Sequence, residues 1–237
     1  MSSSLTERVT RLRQQSRSTT PTLSTERAEL LTAFYRQARS AVSPPVERAQ
    51  GFAYLLDHKT LCIHDGELIV GEKGPVPKAA PTYPELCCHT LDDLNVLDGR
   101  KKIPFHVSDE GRAAYRETVI PFWQGRTMRD RIFGTMTDAW KDAYHAGVFT
   151  EFMEQRSPGH TTLDDKIYRK GMLDFKADIG RSLEALDFLN DPEAYARQQE
   201  LKAMDICADA IIRFAERYAE KARALAKTET EPDRKRE

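Results

Sequence analysis

The sequence contains no long hydrophobic run and very little cysteine. No apolar stretch approaches the roughly 18 residues that a membrane-spanning helix needs, so we expect no contact with a membrane. The N-terminal stretch carries Leu5 and Val9 among polar and basic side chains, without the apolar core of a secretory signal. The 4 cysteines form no C-x-x-C pair. Reduced thiols and a cytoplasmic location are therefore expected.

Motifs for binding metals, phosphates and nucleic acids are also missing. The 6 histidines show neither H-x-x-x-H nor H-E-x-x-H spacing, which argues against a zinc site. The sequence has no G-x-G-x-x-G or Walker loop that would hold a phosphate. Lysine and arginine number 36 against 37 aspartates and glutamates, so the basic excess of a nucleic-acid-binding domain is absent. We expect no metal and no nucleic-acid partner.

Hydrophobic periodicity predicts a mostly α-helical chain. Residues 6–15 carry apolar side chains at helical spacing, within a stretch at 1–20 that we expect to be flexible. Ser108, followed by two acidic residues, predicts the start of a helix that continues to about 119. Further helices are predicted at 25–35, 46–58, 86–97, 127–136 and 138–146.

Residues 60–84 interrupt the helical pattern. Two short apolar runs, 61–63 and 68–70, flank Asp65-Gly66, a favourable turn, and predict a short β-hairpin. Residues 71–84 are rich in glycine and proline and predict a long irregular loop. Loops of this length inside a domain are usually functional or firmly docked.

The last third of the chain predicts a helical hairpin at 166–226. One helical pattern covers 166–188, and residues 190–193 supply a break with a proline in the next first turn. Apolar residues of the longer second helix alternate by three and four. An antiparallel pair of helices is the favoured interpretation, and an intermolecular coiled coil is the alternative. The apolar stripe consists of Leu201, Met204, Ala208, Ile211, Ala215, Tyr218, Ala222 and Leu225.

Three residues spaced by four are the first candidate for a ligand site. A helix would place Phe152 and Arg156 on one face, and Pro158-Gly159 would turn His160 over its end. The group offers an aromatic wall, a guanidinium fork suited to a carboxylate, sulfonate or phosphate, and a switchable imidazole. From spacing alone the structural alternative is favoured: Phe152 in the core, Arg156 paired with a local acid, and His160 satisfying the helix end.

Two further groups of polar residues have both functional and structural interpretations. Asp164 and Asp165 could ligate a metal or act as acid and base, but capping of the next helix is the favoured interpretation. Cys87, Cys88 and His89 could supply a nucleophile and a base. Because adjacent residues rarely orient in that way, buried packing thiols are favoured.

A cluster of arginines near Trp123 is the last candidate. Arg126, Arg129 and Arg131 could together bind an anion, since a guanidinium group presents several N–H donors. A solvated face, or ion pairs between helices, is the favoured interpretation. The near-neutral balance of charge means that any selectivity for anions must come from a local site and not from the field of the whole chain.

Several short segments stand out by their order along the chain. They are DGELIVG at 65–71, APTYPE at 80–85, PFWQG at 121–125, PGH at 158–160 and RKGMLD at 169–174. In this order and spacing the chain resembles glycyl radical enzymes of the pyruvate formate-lyase-like family, from about Thr25 to its end. Within the family it is most similar to the eliminases: isethionate sulfite-lyase, choline trimethylamine-lyase and the diol or hydroxyproline dehydratases.

The resemblance implies the N-terminal helical portion of an α/β-barrel enzyme of anaerobic metabolism. In such enzymes a glycyl radical near the C-terminus generates a thiyl radical on a barrel cysteine, which takes a hydrogen atom from the substrate. The substrate radical then expels water, an amine or sulfite. A separate activase with an iron–sulfur cluster and S-adenosylmethionine installs the glycyl radical, and the resemblance implies that the enzyme itself needs no bound cofactor. A homodimer is implied as well.

The resemblance also implies roles for the spaced trio. Phe152 matches an aromatic pocket wall, and Arg156 stands where sulfonate lyases hold the sulfonate. His160 matches the turn residue that contacts the leaving group or its neighbour, as in the dehydratases. The implied substrate is a small hydroxylated anion, such as a hydroxysulfonate, hydroxy acid or diol, with cleavage of a C–S or C–O bond.

Two parts of these enzymes have no match in this sequence. The catalytic Cys-x-Glu loop and the glycyl loop lie far downstream, and Cys62, Cys87, Cys88 and Cys207 match neither. We therefore expect an N-terminal part of a longer enzyme, with no catalytic residue of its own and inactive alone. A formate C-acetyltransferase of the pyruvate formate-lyase type, and a freestanding helical interaction module without catalysis, are the alternatives.

Overall fold

The structure, a computed structural model, describes residues 2–37, 42–67, 69–149 and 163–237. They belong to two compact units, the first made of residues 1–32 and 71–161 and the second of residues 33–70 and 162–237. Helices dominate both units, as the sequence predicts. Within the described ranges, no helix is both long and apolar enough to cross a bilayer.

The first unit is assembled from short helices joined by structured loops. Helix α1 extends beyond the predicted 6–15, and the flexibility of residues 1–20 stays a prediction. The helices of this unit are α1 (Ser2–Ser18), the first part of α2 (Glu26–Gln37), α4 (Leu91–Gly99), α5 (Asp109–Ala114), α6 (Ile120–Trp123), α7 (Met128–Thr135) and α8 (Asp138–His145).

Side-chain caps explain where these short helices begin. Thr90 and Thr127 each start a capping box at α4 and α7, in which the threonine accepts from the third backbone N–H of the helix and the aspartate at that position bonds back. Ser108 caps α5 as predicted, accepting from the Gly111 N–H at 3.1 Å. Such caps satisfy backbone donors that have no partner inside the helix. Each cap involves residues only three positions apart, so the start of the helix can be recognised from the nearby sequence.

The predicted helix at 108–119 is wound more widely in its second half. Residues Tyr115–Val119 form a π-helical turn that continues directly into α6. Tyr115 and Val119 are both fully buried. At the end of α6, Trp123 Nε1 donates a hydrogen bond to Thr32 Oγ1 at 2.9 Å, and Thr32 is itself buried. The indole thereby links α6 to α2 inside the first unit.

The strands of the first unit are parallel and are not those that the sequence predicts. Strand β1 (Thr22–Ser24) lies beside β2 (Ala79–Pro81), with Thr22 opposite Ala79. On its other side Thr22 forms an isolated parallel bridge with His106. Segments that are widely separated in sequence therefore meet at β1.

Helix α10 (Ala194–Thr228) is the main element of the second unit. It packs against α3 (Pro44–His58) and α9 (Met172–Glu184), and its end contacts α11 (Pro232–Arg236). Small residues bring α10 close to α3. The contacts form two buried clusters, Val46 with Ala49 and Ala203, and Ala53 with Leu56 and Ala210.

The apolar stripe predicted along α10 is only partly covered. Ala208 is buried, whereas Met204, Ile211 and Leu225 are exposed by 55%, 39% and 47%. The contact with α3 is instead made by Ala203 and Ala210, which are not part of the predicted stripe. Lys176 of α9 pairs with two aspartates of α10, at 2.6 and 2.9 Å, which places α9 beside α10 as in a helical hairpin.

The helix predicted at 166–188 is divided. A 3-10 turn spans Asp164–Tyr168, and α9 begins only after Gly171, whose N–H donates to Asp174 at 2.8 Å. Asp165 pairs with Arg169 within the 3-10 turn. Capping of the next helix by Asp164 or Asp165 is therefore wrong, because α9 is capped several residues later at Gly171.

The predicted β-hairpin at 61–70 is not formed. Its turn is present, and Gly66 has a φ of +81°, a conformation that glycine adopts without steric cost. However, the described residues on either side of this turn include no strand. The fold class predicted from the sequence is thus right in being mostly α and wrong in its hairpin.

Side chains from the end of the second unit take the backbone partners that a hairpin would need. Lys221 of α10 donates to the Leu61 carbonyl at 2.5 Å. Arg234 of α11 donates to the carbonyls of His64 and Glu67 at 3.1 and 3.2 Å. Because backbone carbonyls must find partners when they are withdrawn from water, charged side chains substitute here for strand pairing.

Candidate functional site

The trio predicted to bind substrate lies outside the described residues. Phe152, Arg156 and His160 fall between Phe149, where one described range ends, and Leu163, where the next begins. Their proposed roles stay predictions. The local structure that leads to them is described, and it belongs to the first unit.

A cleft of about 500 Å³ lies in the first unit between the segment before α4 and helices α6, α7 and α8. It includes the cysteine–histidine group and one of the arginines that the sequence singles out. Its lining side chains with polar or aromatic groups are Cys87, Cys88, His89, Thr90, Gln124, Thr127, Arg129, Asp130, Phe133, Tyr144 and His145.

Arg129 lies in this cleft and forms hydrogen bonds and cation–π contacts there. Its Nη2 donates to the Tyr144 hydroxyl at 2.8 Å, and its Nη1 donates to Cys87 Sγ at 3.6 Å. The guanidinium carbon lies 5.1 Å from the ring centroid of Phe133 and 5.6 Å from that of Tyr144. These are cation–π distances, so Arg129 is held by both its hydrogen bonds and its aromatic neighbours.

The aromatic side chains continue from Arg129 to the end of the described range. The Tyr144 ring lies 5.3 Å from Phe133 and 5.9 Å from Phe149, measured between centroids. Phe149 also contacts Trp140 of α8 at 5.2 Å with the rings at 65°. Aromatic pairs in such arrangements are favourable beyond the area they bury, and they join α7, α8 and the chain after α8.

Cys88 and His89 are not activated as a nucleophile and base. Burial, with smaller contributions from Cys87 and nearby carboxylates, raises the pKa of the Cys88 thiol to about 12. Burial lowers the pKa of His89. At neutral pH the thiol is therefore protonated, whereas a reactive cysteine requires the thiolate. This supports the interpretation as packing thiols.

The three arginines near Trp123 do not share one site. Arg126 is exposed and lies 4.7 Å from the Phe122 ring centroid. Arg131 is exposed on α7. Only Arg129 enters the cleft, so the three do not act as one cluster.

The described part of the chain contains no group of three or more His, Cys, Asp or Glu side chains arranged to hold a metal ion. Asp165, one of the acids considered as a ligand, pairs with Arg169 instead.

Comparison with known proteins defines the class to which this fold belongs. The model of the pyruvate formate lyase-like family matches residues 3–237, which is almost the whole sequence. The chain belongs to this family, and the resemblance found in the sequence is thereby confirmed.

The relatives are dehydratases and lyases. The chain is 51% identical to trans-4-hydroxy-L-proline dehydratase of Clostridioides difficile over 98% of its length. It is 32% identical to a probable dehydratase of Escherichia coli over 92%, and 28% identical to isethionate sulfite-lyase of Nitratidesulfovibrio vulgaris over 98%. It spans 29%, 27% and 29% of these relatives, which is less than a third of their length.

Solved structures agree with the sequence comparison. The hydroxyproline dehydratase from Clostridioides difficile with trans-4-hydroxy-L-proline bound superposes with a TM-score of 0.91, at 51% identity, over 97% of this chain and 29% of that one. The glycerol dehydratase from Clostridium butyricum superposes with a TM-score of 0.83 at 25% identity over the same shares.

Sequence reasoning found the spaced trio but missed the contacts that precede it. The residues Arg129, Tyr144 and Phe149 carry no motif that would link them, although aromatic residues recur through 133–149. Their association depends on how α7 and α8 pack, which the sequence pattern does not specify.

Proposed function

We propose that the whole protein containing this chain is a glycyl radical dehydratase that removes water from trans-4-hydroxyproline or a closely related small hydroxylated anion. The observation that carries this proposal is the 51% identity to the hydroxyproline dehydratase along 98% of the chain. The isethionate sulfite-lyase of Nitratidesulfovibrio vulgaris, whose name indicates C–S cleavage, reaches 28%. This difference favours C–O over C–S cleavage.

The proposed reaction converts the substrate into water and an unsaturated product with no net oxidation or reduction. The glycyl radical, installed by an S-adenosylmethionine iron–sulfur activase, supplies the means of abstracting a hydrogen atom from the substrate. The α/β barrel that would hold it, like the catalytic cysteine, belongs to the part of the protein beyond this chain. This chain alone is therefore proposed to be inactive.

The residues that this chain contributes are proposed to bind and orient the substrate. Arg156 forms two parallel hydrogen bonds with the substrate carboxylate, for which the planar guanidinium is suited. His160 hydrogen-bonds the departing hydroxyl group and donates the proton with which it leaves as water. Phe152 supplies an apolar wall that excludes water from the ring of the substrate.

The proposed partners are the activase, the small-molecule substrate and a second copy of the whole protein. We propose a cytoplasmic location, where the 4 cysteines would stay reduced.

Anaerobic activation of the whole protein tests the function. The protein is incubated with the activase, S-adenosylmethionine and a reductant, and electron paramagnetic resonance measures the glycyl radical. Activated protein is then given trans-4-hydroxyproline or, separately, isethionate. We expect a product lighter by one water from hydroxyproline. Release of sulfite from isethionate, without dehydration of hydroxyproline, would contradict the proposal.

A further inference from the structure

We infer that a cleft in the second unit binds a free amino acid with an apolar side chain. The cleft has a volume of about 590 Å³ and lies between the turn at Asp65-Gly66, the last turns of α10 and helix α11. Clefts of this size hold small molecules in proteins. The binding does not depend on the reaction proposed above, because only side chains of the second unit take part.

One carboxylate oxygen of the cleft has no donor. Oε1 of Glu67 is buried and accepts no hydrogen bond from any residue that the structure describes. The Glu67 backbone carbonyl, by contrast, accepts from Arg234 at 3.2 Å, so the backbone is held while this oxygen is left without a partner. A buried carboxylate oxygen without a donor is costly. A bound ammonium group would supply the donors that it needs.

Most other charged groups around the cleft bind one another. They form ion pairs between Arg234 and Glu237 at 3.1 Å, Arg234 and Asp65 at 3.8 Å, and Arg236 and Asp233 at 3.6 Å. Glu229 accepts the backbone N–H groups of residues 230 and 231 at 2.8 and 2.9 Å. These charges are therefore neutralised or satisfied within the protein itself.

Two cations of the cleft stay available to a ligand. Arg223 on α10 and Lys235 on α11 line the cleft and are exposed. Neither side chain forms a hydrogen bond or an ion pair with another described residue. Both groups bind carboxylates, the guanidinium through two parallel hydrogen bonds. Together with Glu67, the cleft thus offers an acceptor for an ammonium group and donors for a carboxylate.

The rest of the cleft wall is apolar. Its side chains are those of Ile63, Val70, Ala222, Leu225 and Ala226. Val70 and Leu225 are exposed by 43% and 47%, so they leave apolar surface that a ligand can cover favourably. An amino acid carries an ammonium and a carboxylate at one end, and an apolar side chain would cover this surface. A simple anion or a simple cation would use only part of the site.

Binding of L-leucine to the whole protein tests this site. Isothermal titration calorimetry at neutral pH measures it without activation, so the result is independent of the glycyl radical. The analogue 4-methylpentanoate has the same skeleton without the ammonium, and 3-methylbutylamine lacks the carboxylate. We expect saturable binding of one leucine per chain, and affinity about tenfold or more weaker for each analogue. Absence of saturable leucine binding, or equal affinity for either analogue, would overturn the inference.

Glu67→Gln locates the binding on the protein, because it removes the negative charge and nearly keeps the shape. We expect it to weaken leucine binding about tenfold. Glu220→Gln is the matched control, because Glu220 is exposed on α10 and does not line the cleft, and its affinity for leucine should equal that of the wild type. Wild-type affinity in Glu67→Gln would show that leucine binds elsewhere.

A second variant keeps the test decisive if Glu67→Gln does not fold. Arg223→Gln combined with Lys235→Gln changes only exposed side chains, and thermal unfolding should give the same midpoint as the wild type. We expect this double variant to bind leucine about tenfold more weakly, since both donors to the carboxylate are lost. An unchanged affinity in the folded double variant would overturn the inference.

Discussion

Arg27 and Glu85 form a two-pronged ion pair across 58 positions of sequence. Nη1 of Arg27 lies 2.9 Å from one carboxylate oxygen, and Nη2 donates to the other. The same guanidinium donates to the Thr82 carbonyl at 3.0 Å and lies 4.0 Å from the Tyr83 ring centroid. The APTYPE segment, which helps to place the chain in its family, therefore serves to hold the start of α2.

Replacing Glu85 by glutamine tests this pair. Both side chains are partly buried, with exposures of 18% and 26%, so we expect the Glu85→Gln variant to lose about 1–2 kcal/mol from the free energy of unfolding of the first unit. Trp123 and Trp140 both lie in that unit, so tryptophan fluorescence during urea unfolding measures it. Glu220→Gln, at an exposed position of α10, should leave the transition unchanged. Equal transitions for both variants would mean that the pair contributes nothing.

Two glycines of the first unit should respond to alanine in opposite directions. A Cβ at Gly147 would meet no atom within 4 Å, but the φ of this residue is +73°. Gly147→Ala should therefore destabilise the unit by about 1 kcal/mol through backbone strain alone. Gly134 lies inside α7, also has open space, and lacks a positive φ.

Gly134→Ala should accordingly stabilise the unit by about 0.5–1 kcal/mol, since alanine favours the helix. Thermal unfolding of the two variants provides the comparison. A loss of stability at Gly134 as large as that at Gly147 would show that the sign is not set by the backbone conformation.

The thiol of Cys88 should make stability depend on alkaline pH. Its pKa is raised from 9.0 to about 12 by burial. The folded state therefore keeps the proton that the unfolded state loses above about pH 9. The contribution is complete below the unfolded pKa and declines as the pH rises from about 9 towards 12.

We therefore expect the stability of the first unit to fall as the pH rises above about 9. Cys88→Ala should show a smaller loss over that range of pH in urea titrations. The same pH dependence in wild type and variant would contradict burial of the thiol.

Arg156 is proposed to bind the carboxylate of the substrate. In the activated whole protein, Arg156→Lys should raise KM for the anionic substrate by about tenfold, because lysine cannot form two parallel hydrogen bonds. Steady-state kinetics measure this effect, and Arg131→Lys at an exposed position of α7 is the control. An unchanged KM would remove Arg156 from its proposed role.

The parts of the fold that the sequence predicted are those with local causes. Ser108 caps α5 through a residue three positions away, and α3 (Pro44–His58) begins within two residues of the helix predicted at 46–58. The hairpin was predicted from two short apolar runs on either side of Asp65 and Gly66, which are local features. Those local features give no sign of Lys221 and Arg234, which are distant in sequence and donate hydrogen bonds to the nearby backbone carbonyls.

The sequence likewise predicted only part of the candidate site. The spacing of Phe152, Arg156 and His160 is visible in the sequence and gained meaning from the family resemblance. The contacts of Arg129 and Phe149 with Tyr144 are not visible in the sequence, because they join separate elements of the first unit.

The sequence by itself determined the family, the mostly helical character and the beginnings of most helices, because these depend on ordered motifs and on hydrogen bonds within a single turn. The tertiary structure alone decided which strands pair, where β1 meets β2, and which face of α10 is covered. Those outcomes depend on contacts between residues far apart in the chain. Their free energy is set by packing and by the backbone partners that remain available, neither of which a periodic pattern encodes.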